Sequence, residues 1–520
     1  MSKPMDRVSP EPGVPPQDWS VEDSPLSRWV WIVALVTAVL HLASAGRYDI
    51  FRNELYFIVC GRHPAFGYVD QPPLVPLLAA ATQLFGINVW LLRLPAVLAA
   101  AALVPLSAAF ARLLGGDARA QIIAALAAAL APALAGLTAI LTTATFEPLT
   151  WTACAYFVTY AWLRNQPRAL IWAGVVAGVS MQAKYGIVIW LLALFVGVLL
   201  TPARRVLRWR QCWIGLGIAV LIALPSVIWQ AVQGWPFLTL VHNHAPTNLR
   251  GDPIHFEIGQ VFAMNLLLAP LWLAGVIGPF AAPQWKPLRF LAIALVLATI
   301  IDQVSGGKDY YLFGAYPALF AVGAVVCSRM KVWLCGIWML LAAVQFVIVL
   351  PVALPVLDPP ALARLLNHTH LRPPPDEIAG IGAPLTQVFS DEMGWRELAA
   401  QVAAIYHALP ADQQQKAAIF GSNYGEAAAI DVYGRDAGLP PAISGQNQYF
   451  LWGPRGHDGS VVIHIGGKIE RWERICDTVQ VVGSFGVPYA MPYENQQSIF
   501  ICRGMHRDLA SIWDHFRWYL

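Results

Sequence analysis

Charged residues are scarce in this chain of 520 residues, where Asp, Glu, Lys and Arg together make up only 12%. A soluble protein carries about a quarter charged residues, and 57% of this sequence is hydrophobic. Apolar stretches of about 20 residues recur along the first two thirds of the chain, which is the length a helix needs to cross a bilayer. The composition excludes an ordinary soluble protein and predicts a polytopic membrane protein.

Several motifs are also missing. The sequence has no G-x-G-x-x-G, no P-loop and no zinc-type spacing of Cys and His, so it implies no nucleotide sugar. Its net charge of +3 is too small to indicate nucleic acid as a partner. The polar, Pro-rich residues 1–28 are predicted to be disordered. They lack the basic segment and short apolar core of a cleaved signal peptide, so the first apolar run is expected to be a retained span.

The basic residues sort the predicted spans into a topology. Basic clusters such as Arg112 with Arg119, and Arg329 with Lys331, occupy alternate connections, which the positive-inside rule places in the cytoplasm. The N-terminus is then cytoplasmic and the C-terminal part lies outside, as for a bacterial inner (plasma) membrane protein. The predicted spans are 29–46, 89–113, 119–136, 147–163, 169–183, 187–201, 212–230, 259–282, 288–303, 311–328 and 332–351.

This topology places unusual polar residues together on the outer face. A passive anchor does not need such an arrangement, whereas an active site at the membrane–water boundary does. Short apolar pieces in the first outer loop, 47–88, are predicted to be interfacial helices that hold acids near the lipid headgroups. The polar residues of this face are Glu54, Asp70, Glu147, Lys184, His242, His244 and Lys308.

Four motifs in order carry a family resemblance: "GYVDQPPL", "FEPLTW", "QAKYGIVI" and "GGKDYYLFGAYPAL". Together they resemble the polyprenol-phosphate-sugar-dependent glycosyltransferases of the GT-C fold, in the dolichyl-phosphate-mannose protein mannosyltransferase-like superfamily. The resemblance implies about 11 transmembrane helices in a catalytic domain, 29–351. It also implies a polyprenyl-phosphate-linked sugar as donor and a hydroxyl of a lipid, glycan or protein as acceptor, among membrane lipids.

The resemblance also implies catalytic residues. The family usually presents an Asp-Glu pair in the first outer loop, and this chain has Asn53-Glu54. An acceptor hydroxyl needs a carboxylate as general base, for which Glu54 is favoured and Asp49 is the alternative. Asp70 is a further catalytic candidate, through substrate or metal contact, although capping or a salt bridge with Arg62 would also explain it. A divalent metal is possible, with no ligand set identified.

The departing lipid phosphate needs positive charge. Lys184, Lys308 and Arg52 are the candidates, and Lys308 lies between a Gly pair and an aromatic pair. Lys184 could instead be a lysine that extends to the interface. Glu147, a further substrate-binding candidate, could be an acid that favours a helix start. Arg93, near the outer end of the second span, is expected to form an ion pair within the bundle. The complete set of predicted substrate-binding residues is Asn53, Arg52, Glu147, Lys184, Lys308 and Tyr310.

Two other function classes remain open on the sequence. A transporter is also polytopic, but transporters tend to have internal repeats and polar residues near the midplane. A scaffold that binds polyprenyl lipids without catalysis is the second alternative, because Asn53 replaces the usual acid. Loss of activity on changing Glu54 would separate an enzyme from a scaffold.

The C-terminal part is more polar and is predicted to be an extracytoplasmic α/β domain, 386–520, joined by a linker, 352–385. "KAAIF", "SVVIHIG" and "SIFICR" are typical of buried strands, and "GWRELAAQVAAIYHAL" of an amphipathic helix. Asn423, Tyr424 and Glu426 are polar loop candidates that turn chemistry would also explain. Cys476 and Cys502 could form a disulfide in an oxidising compartment, with two unpaired thiols as the alternative.

Overall fold

The computed structural model describes residues 25–244, 253–369, 371–375 and 377–520. Its first two thirds are helical, as the apolar periodicity predicts, and the helices of the predicted membrane domain pack side by side. These helices are α1 (Arg28–Ala45), α2 (Arg52–Arg62), α3 (Leu74–Thr82), α4 (Val89–Leu113), α5 (Ala118–Ala129), α6 (Pro132–Leu137), α7 (Glu147–Arg164), α8 (Ala169–Ala183), α9 (Ile187–Leu199), α10 (Arg210–Val232), α11 (Pro236–His244), α12 (Pro253–Ala263), α13 (Ala269–Ala281), α14 (Arg289–Ser305), α15 (Tyr316–Cys327) and α16 (Val332–Ala353).

Every predicted span coincides with one or more of these helices. By length and composition, six helices of the described residues could cross a membrane, or up to eight if each of two bent pairs is one span. The bent pairs are α9 with the 3-10 helix Pro202–Arg208, at 109°, and α12 with Leu266–Ala281, at 92°. The polytopic helical fold is therefore confirmed, while the count of eleven stays a prediction.

Close helix packing depends on small residues. A Cβ atom on Gly174 of α8 would lie only 2.0 Å from the carbonyl oxygen of Gly215 in α10. Small residues let backbones approach closely in membrane helices, where van der Waals packing replaces the hydrophobic driving force. A larger side chain at Gly174 would push α8 and α10 apart.

The first outer loop contains two short helices, as predicted, but their environment differs from the expectation. Most of α2 is buried, including Glu54, because α2 packs beneath the C-terminal domain. Glu54 is therefore enclosed by protein and does not lie on a solvated helix face. A short amphipathic helix is equally consistent with a headgroup surface or a protein cover, and the sequence does not distinguish them.

The C-terminal domain is built on a four-stranded sheet of order β1-β2-β4-β3. β1 (Ala417–Gly421) pairs in parallel with β2 (Val461–Ile465), and β4 (Gln497–Met505) runs antiparallel to both β2 and β3 (Cys476–Phe485). β1, β2 and β4 coincide with the three predicted strand segments, and the helix predicted at "GWRELAAQVAAIYHAL" is present. The helices here are α17 (Pro359–His368), α18 (Gln387–Ser390), α19 (Trp395–His407), α20 (Ala411–Gln414), α21 (Tyr424–Tyr433), α22 (Asn447–Trp452) and α23 (Ile469–Trp472).

Two further features hold this region together. Cys476 and Cys502 form a disulfide across the β3–β4 pair, with Cα atoms 5.9 Å apart, which confirms the predicted pairing. The segment predicted as a linker contains α17, whose Leu362 and Leu366 are buried against Tyr48 of the first outer loop. The chain between the membrane helices and the sheet is thus packed against the membrane domain.

Candidate active site

A buried ion-pair cluster joins the first outer loop to the C-terminal domain. Arg93 Nη2 lies 2.9 Å from Glu54 Oε2 and 2.9 Å from Glu392 Oε2, and none of the three side chains is exposed. Arg93 also donates to the backbone oxygens of Ala45 and Asp49. The ion pair predicted for Arg93 is confirmed, and it connects α1, α2 and α4 with the segment that precedes α19.

This cluster leaves Glu54 little capacity for proton transfer. Its Oε1 accepts from the Leu141 backbone N–H at 2.8 Å and its Oε2 from that of Phe51 at 2.9 Å, in addition to the bonds from Arg93. A base must reach the proton that it abstracts, whereas this carboxylate is fully buried and bonded at both oxygens. The bonds to Glu54 are those of a structural residue, and its role as the base stays a prediction.

The other candidates of this loop also contact the C-terminal domain. Asp49 accepts from Tyr433 at 2.9 Å and from Arg396 at 2.8 Å. Asn53 Oδ1 accepts from the Tyr424 hydroxyl at 2.7 Å. These contacts give Asp49 and Asn53 a role in docking the two domains.

Arg52 is held in the same interface. Its Nη2 lies 3.7 Å from Asp391 Oδ2, its Nη1 donates to Tyr493, and its guanidinium lies over the rings of Tyr424 and Tyr493. Burial raises the pKa of Asp391, although Arg52 and Tyr493 oppose that rise. The contacts of Arg52 therefore lie mainly within the domain interface.

Asp70 has a different environment. Its Oδ1 accepts a hydrogen bond of 2.8 Å from the Tyr56 hydroxyl, and the residue is only partly buried. Burial raises the pKa of Asp70 to about 6, and the bond from Tyr56 opposes the rise. Arg62 instead donates to the backbone of Asp431, so the alternative of an Asp70–Arg62 salt bridge is not found. A partly exposed carboxyl that titrates near 6 suits proton transfer.

Three predicted substrate-binding residues meet at the ends of α7 and α8. Lys184 Nζ lies 2.9 Å from Glu147 Oε2. The same ammonium lies 5.0 Å and 4.4 Å from the ring centroids of Tyr310 and Tyr311. Glu147 is almost buried, while Lys184 keeps 18% of its side-chain surface exposed. The pair presents a cation beside two aromatic rings, accessible from one side.

Lys308 lies in a neighbouring ion-pair cluster. It bonds Glu377, which also pairs with His244 at 3.2 Å. Burial alone would raise the pKa of Glu377, but His244 and Lys308 outweigh it and hold that pKa well below its usual value. Lys308 is thus neutralised by an acid from the segment after α17, and His244 has an acid partner.

These clusters share one end of the helix bundle, as the topology predicts. The ends of α7, α8 and α14, the first outer loop and the C-terminal domain meet there. The predicted cytoplasmic connections meet at the opposite end, where Arg119 and Arg329 line one cavity and Trp162 donates to the Pro287 backbone. The separation of the two faces supports the deduced alternation of loops.

Four acids were not predicted from the sequence as candidate functional residues: Asp302, Glu377, Asp391 and Glu392. Asp391 and Glu392 form a "DE" pair in a segment assigned to an outer domain, and Glu377 lies in the predicted linker. Asp302 is completely buried near the end of α14, and neither carboxylate oxygen has a hydrogen-bond partner among the described residues. Asp302 is the one of these acids that the sequence could have indicated, because an acid within an apolar span is a signal of a functional role.

The described residues provide no obvious ligand set for the possible divalent metal. Within the described ranges, no group of three or more His, Cys, Asp or Glu side chains could hold a metal ion. His242 and His244 bring no such group together. The residues therefore do not fit a metal held by the protein alone, and we derive no catalytic step through one.

Comparisons with known proteins place this arrangement in context. A family model described as dolichyl-phosphate-mannose-protein mannosyltransferase matches residues 70–229, which include Asp70, Glu147 and Lys184. ArnT from Cupriavidus metallidurans, solved bound to undecaprenyl phosphate, is 16% identical with a TM-score of 0.61, covering 91% of this chain and 97% of that one. Its apo state gives the same values. No curated protein matches the chain by sequence. At this identity the likeness to ArnT shows a common fold.

Proposed function

We propose that the chain is a glycosyltransferase of the GT-C type that moves a sugar from a polyprenyl phosphate to an acceptor hydroxyl at the outer membrane face, which its matched segment, residues 70–229, and its fold support. The observation that carries this proposal is that the carboxyl of Asp70 and the ammonium of Lys184, which Glu147 holds, are both partly exposed, while Tyr185, the chain neighbour of Lys184, interacts electrostatically with Asp70. A carboxyl that can take a proton and a cation that can face a phosphate are the two groups this reaction needs.

Asp70 is the proposed general base. The acceptor oxygen forms a bond to the anomeric carbon while its proton passes to the free oxygen of Asp70. Tyr56 bonds the other carboxylate oxygen and fixes its orientation. Because the pKa of Asp70 is about 6, the carboxylate is mostly ionised at neutral pH and still basic enough to accept a proton.

Lys184 is the proposed partner of the leaving group. As the bond between the anomeric carbon and the phosphate oxygen breaks, its electron pair passes to the phosphate, and a nearby ammonium stabilises that charge. Glu147 holds the ammonium at 2.9 Å, and Tyr310 and Tyr311 flank it. Both lysines are ion-paired, but Lys308 would contribute less because only 10% of its side-chain surface is exposed, against 18% for Lys184.

The donor would be a sugar on undecaprenyl phosphate or a related lipid, since ArnT is described as bound to undecaprenyl phosphate. The acceptor would be a hydroxyl on an envelope lipid, glycan or protein. Both hexoses and pentoses remain candidate sugars.

Transfer from a labelled donor tests the proposal. The full chain in nanodiscs is given undecaprenyl phosphates that carry radiolabelled hexoses or pentoses, with lipid A, a glycan or a peptide as acceptor. We expect transfer to one acceptor class, lost in Asp70→Asn and kept in the control Asp117→Asn, which lies at the opposite end of the bundle. Binding without transfer across the whole panel would favour a lipid-binding scaffold, and vesicle uptake of the donor would favour a transporter.

Orientation forms part of the proposal, with the N-terminus cytoplasmic and the C-terminal domain outside, as in a bacterial inner membrane. Single cysteines at 205 and 400 in intact cells test it with an impermeant thiol reagent. We expect labelling at 400 and none at 205. The same result at both positions would contradict the topology.

A further inference from the structure

Two adjoining cavities lie at the end of the bundle opposite the candidate active site. The first has a volume of about 240 Å³ and is polar, with Gly115, Gly116, Arg119, Ser328 and Arg329 among its lining residues. It lies between the α4–α5 connection and the end of α15. Nothing in the proposed reaction uses this region.

The second cavity is an apolar groove of about 490 Å³ along α13, which we call the α13 groove. Leu273, Ile277, Ala281 and Val326 contribute its apolar lining. Arg329 lines this groove as well as the polar cavity, so the two are joined at one charged residue. Ile277 is 57% exposed, which shows that the groove opens towards the lipid-facing side of the bundle.

The charge at this junction is positive. Arg119 and Arg329 are both exposed, and Asp117 is the one acid among the residues that line the two cavities. Asp117 lies 3.8 Å from Arg119, while Arg329 has no ion pair or hydrogen bond within the described part of the chain. An arginine with free donors at the end of a span suits a phosphate oxygen.

Glycines show which part of α13 is open. A Cβ atom on Gly275 would lie 2.7 Å from the Leu319 carbonyl oxygen, so α13 and α15 touch there. Gly278, one turn further and within the groove, has no atom within 4 Å of its ideal Cβ position. The space beside Gly278 is therefore free for an occupant.

We propose that the α13 groove and the polar cavity together bind one anionic phospholipid, with its phosphate at Arg119 and Arg329 and an acyl chain along α13. A cationic pocket adjoins an apolar groove at the membrane edge, just as the anionic headgroup of a phospholipid adjoins its acyl chains. Basic pockets between membrane helices on the cytoplasmic side suit anionic headgroups. Free phosphate would leave the groove unfilled.

Native mass spectrometry of the full chain tests this site, with phosphatidylglycerol and phosphatidylcholine as probes. We expect the wild type to keep one phosphatidylglycerol about tenfold more tightly than phosphatidylcholine, because the choline ammonium offsets the phosphate charge and is repelled by the two arginines. The double variant Arg119→Gln/Arg329→Gln should lose that preference. The control Arg204→Gln/Arg205→Gln removes equal charge from exposed positions outside both cavities and should keep it.

A second variant tests the groove without changing charge. Gly278→Phe should fill the space along α13 and lower binding of both lipids, while the Tm of lipid-free protein stays near the wild-type value. Excess inorganic phosphate should fail to displace the lipid. Equal binding of the two lipids by the wild type, or phosphatidylglycerol bound as tightly by the double arginine variant, would overturn the proposal. Displacement by phosphate would identify a free-anion site instead.

Discussion

Two groups of polar residues lie on the same face of this protein, and they differ in the part of the chain to which their partners belong. In the first outer loop, Asp49, Arg52, Asn53 and Glu54 all contact the C-terminal domain or the buried Arg93. Asp70 and Lys184 keep part of their surface exposed. Asp49, Arg52 and Asn53 are also partly exposed, but their partners belong to the C-terminal domain. Asp70 and Lys184 are bonded by Tyr56 and Glu147 of the membrane domain and take no part in that domain contact.

The difference shows that a motif position and an available functional group are separate properties. Glu54 lies where the family resemblance implies a catalytic acid, yet Arg93 and two backbone N–H groups occupy its oxygens. A buried charge needs partners that compensate its lost hydration, and the C-terminal domain supplies Glu392 as a second partner of Arg93. The first group therefore connects domains, and the second is the better candidate for chemistry.

The largest expected effect is a loss of transfer activity, which distinguishes Asp70 from the residues that contact the C-terminal domain. Asp70→Asn removes the proposed base and keeps the side-chain size, so we expect transfer to fall about 10²–10⁴-fold. Thermal unfolding of the same variant should stay close to the wild type. Asp49→Asn, which weakens a domain contact, should change activity far less. Equal loss in both variants would contradict the distinction between the groups.

The next effect concerns stability. Arg93→Met leaves the carboxylate of Glu54 and the carboxyl of Glu392 buried without their cation, and breaking such a buried pair costs about 3–5 kcal/mol. We expect a large drop in Tm in detergent. The triple variant Arg93→Met/Glu54→Gln/Glu392→Gln removes the unpaired charges and should recover much of the loss. If Arg93→Met alone were as stable as the wild type, the cluster would not hold the domains together.

Much of this fold follows from the sequence, because apolar periodicity and turn residues determine local structure. The α2 range and the strand segments with their disulfide partners were predicted from such patterns. The ion pairs Arg93–Glu392 and Lys308–Glu377 were not, since they join residues far apart in the chain. Local sequence patterns do not predict contacts between residues so far apart. The accessibility of each candidate site residue depends on how the C-terminal domain docks, which these patterns do not predict either.

The stability of the folded protein should depend on pH through Glu392 of the domain interface. Burial raises the pKa of Glu392 to about 8, while Arg93 opposes the rise and Glu54 and Asp49 add to it. A raised carboxyl pKa means that the folded state keeps a proton that the unfolded state has lost. Stability is therefore greatest below the usual value of 4.5 and falls as pH rises towards about 8. Tm measured from pH 5 to 9 should show this fall, and Glu392→Gln should flatten it.

A smaller effect compares the two lysines. Lys184→Gln removes the exposed cation, so we expect the KM for the donor to rise about tenfold, as for the loss of a hydrogen bond to a charged group. Lys308→Gln should raise it less, because the Lys308 side chain is only 10% exposed, against 18% for Lys184. Steady-state kinetics with the undecaprenyl-phosphate donor measure both values. A larger effect at Lys308 would move the phosphate site towards the segment after α17.

The smallest expected effect lies in the pH profile of transfer. The base must be ionised, so kcat/KM should rise with pH through about 6, the pKa of Asp70, and then level off. The Tyr56 hydroxyl lowers this pKa by donating to the carboxylate. Tyr56→Phe removes that bond, so the rise in kcat/KM should move to higher pH while the plateau changes little. Asp70→Asn should abolish the profile altogether. An unmoved rise in Tyr56→Phe would assign the titrating group to another residue, because Asp70 is the carboxyl that Tyr56 contacts directly.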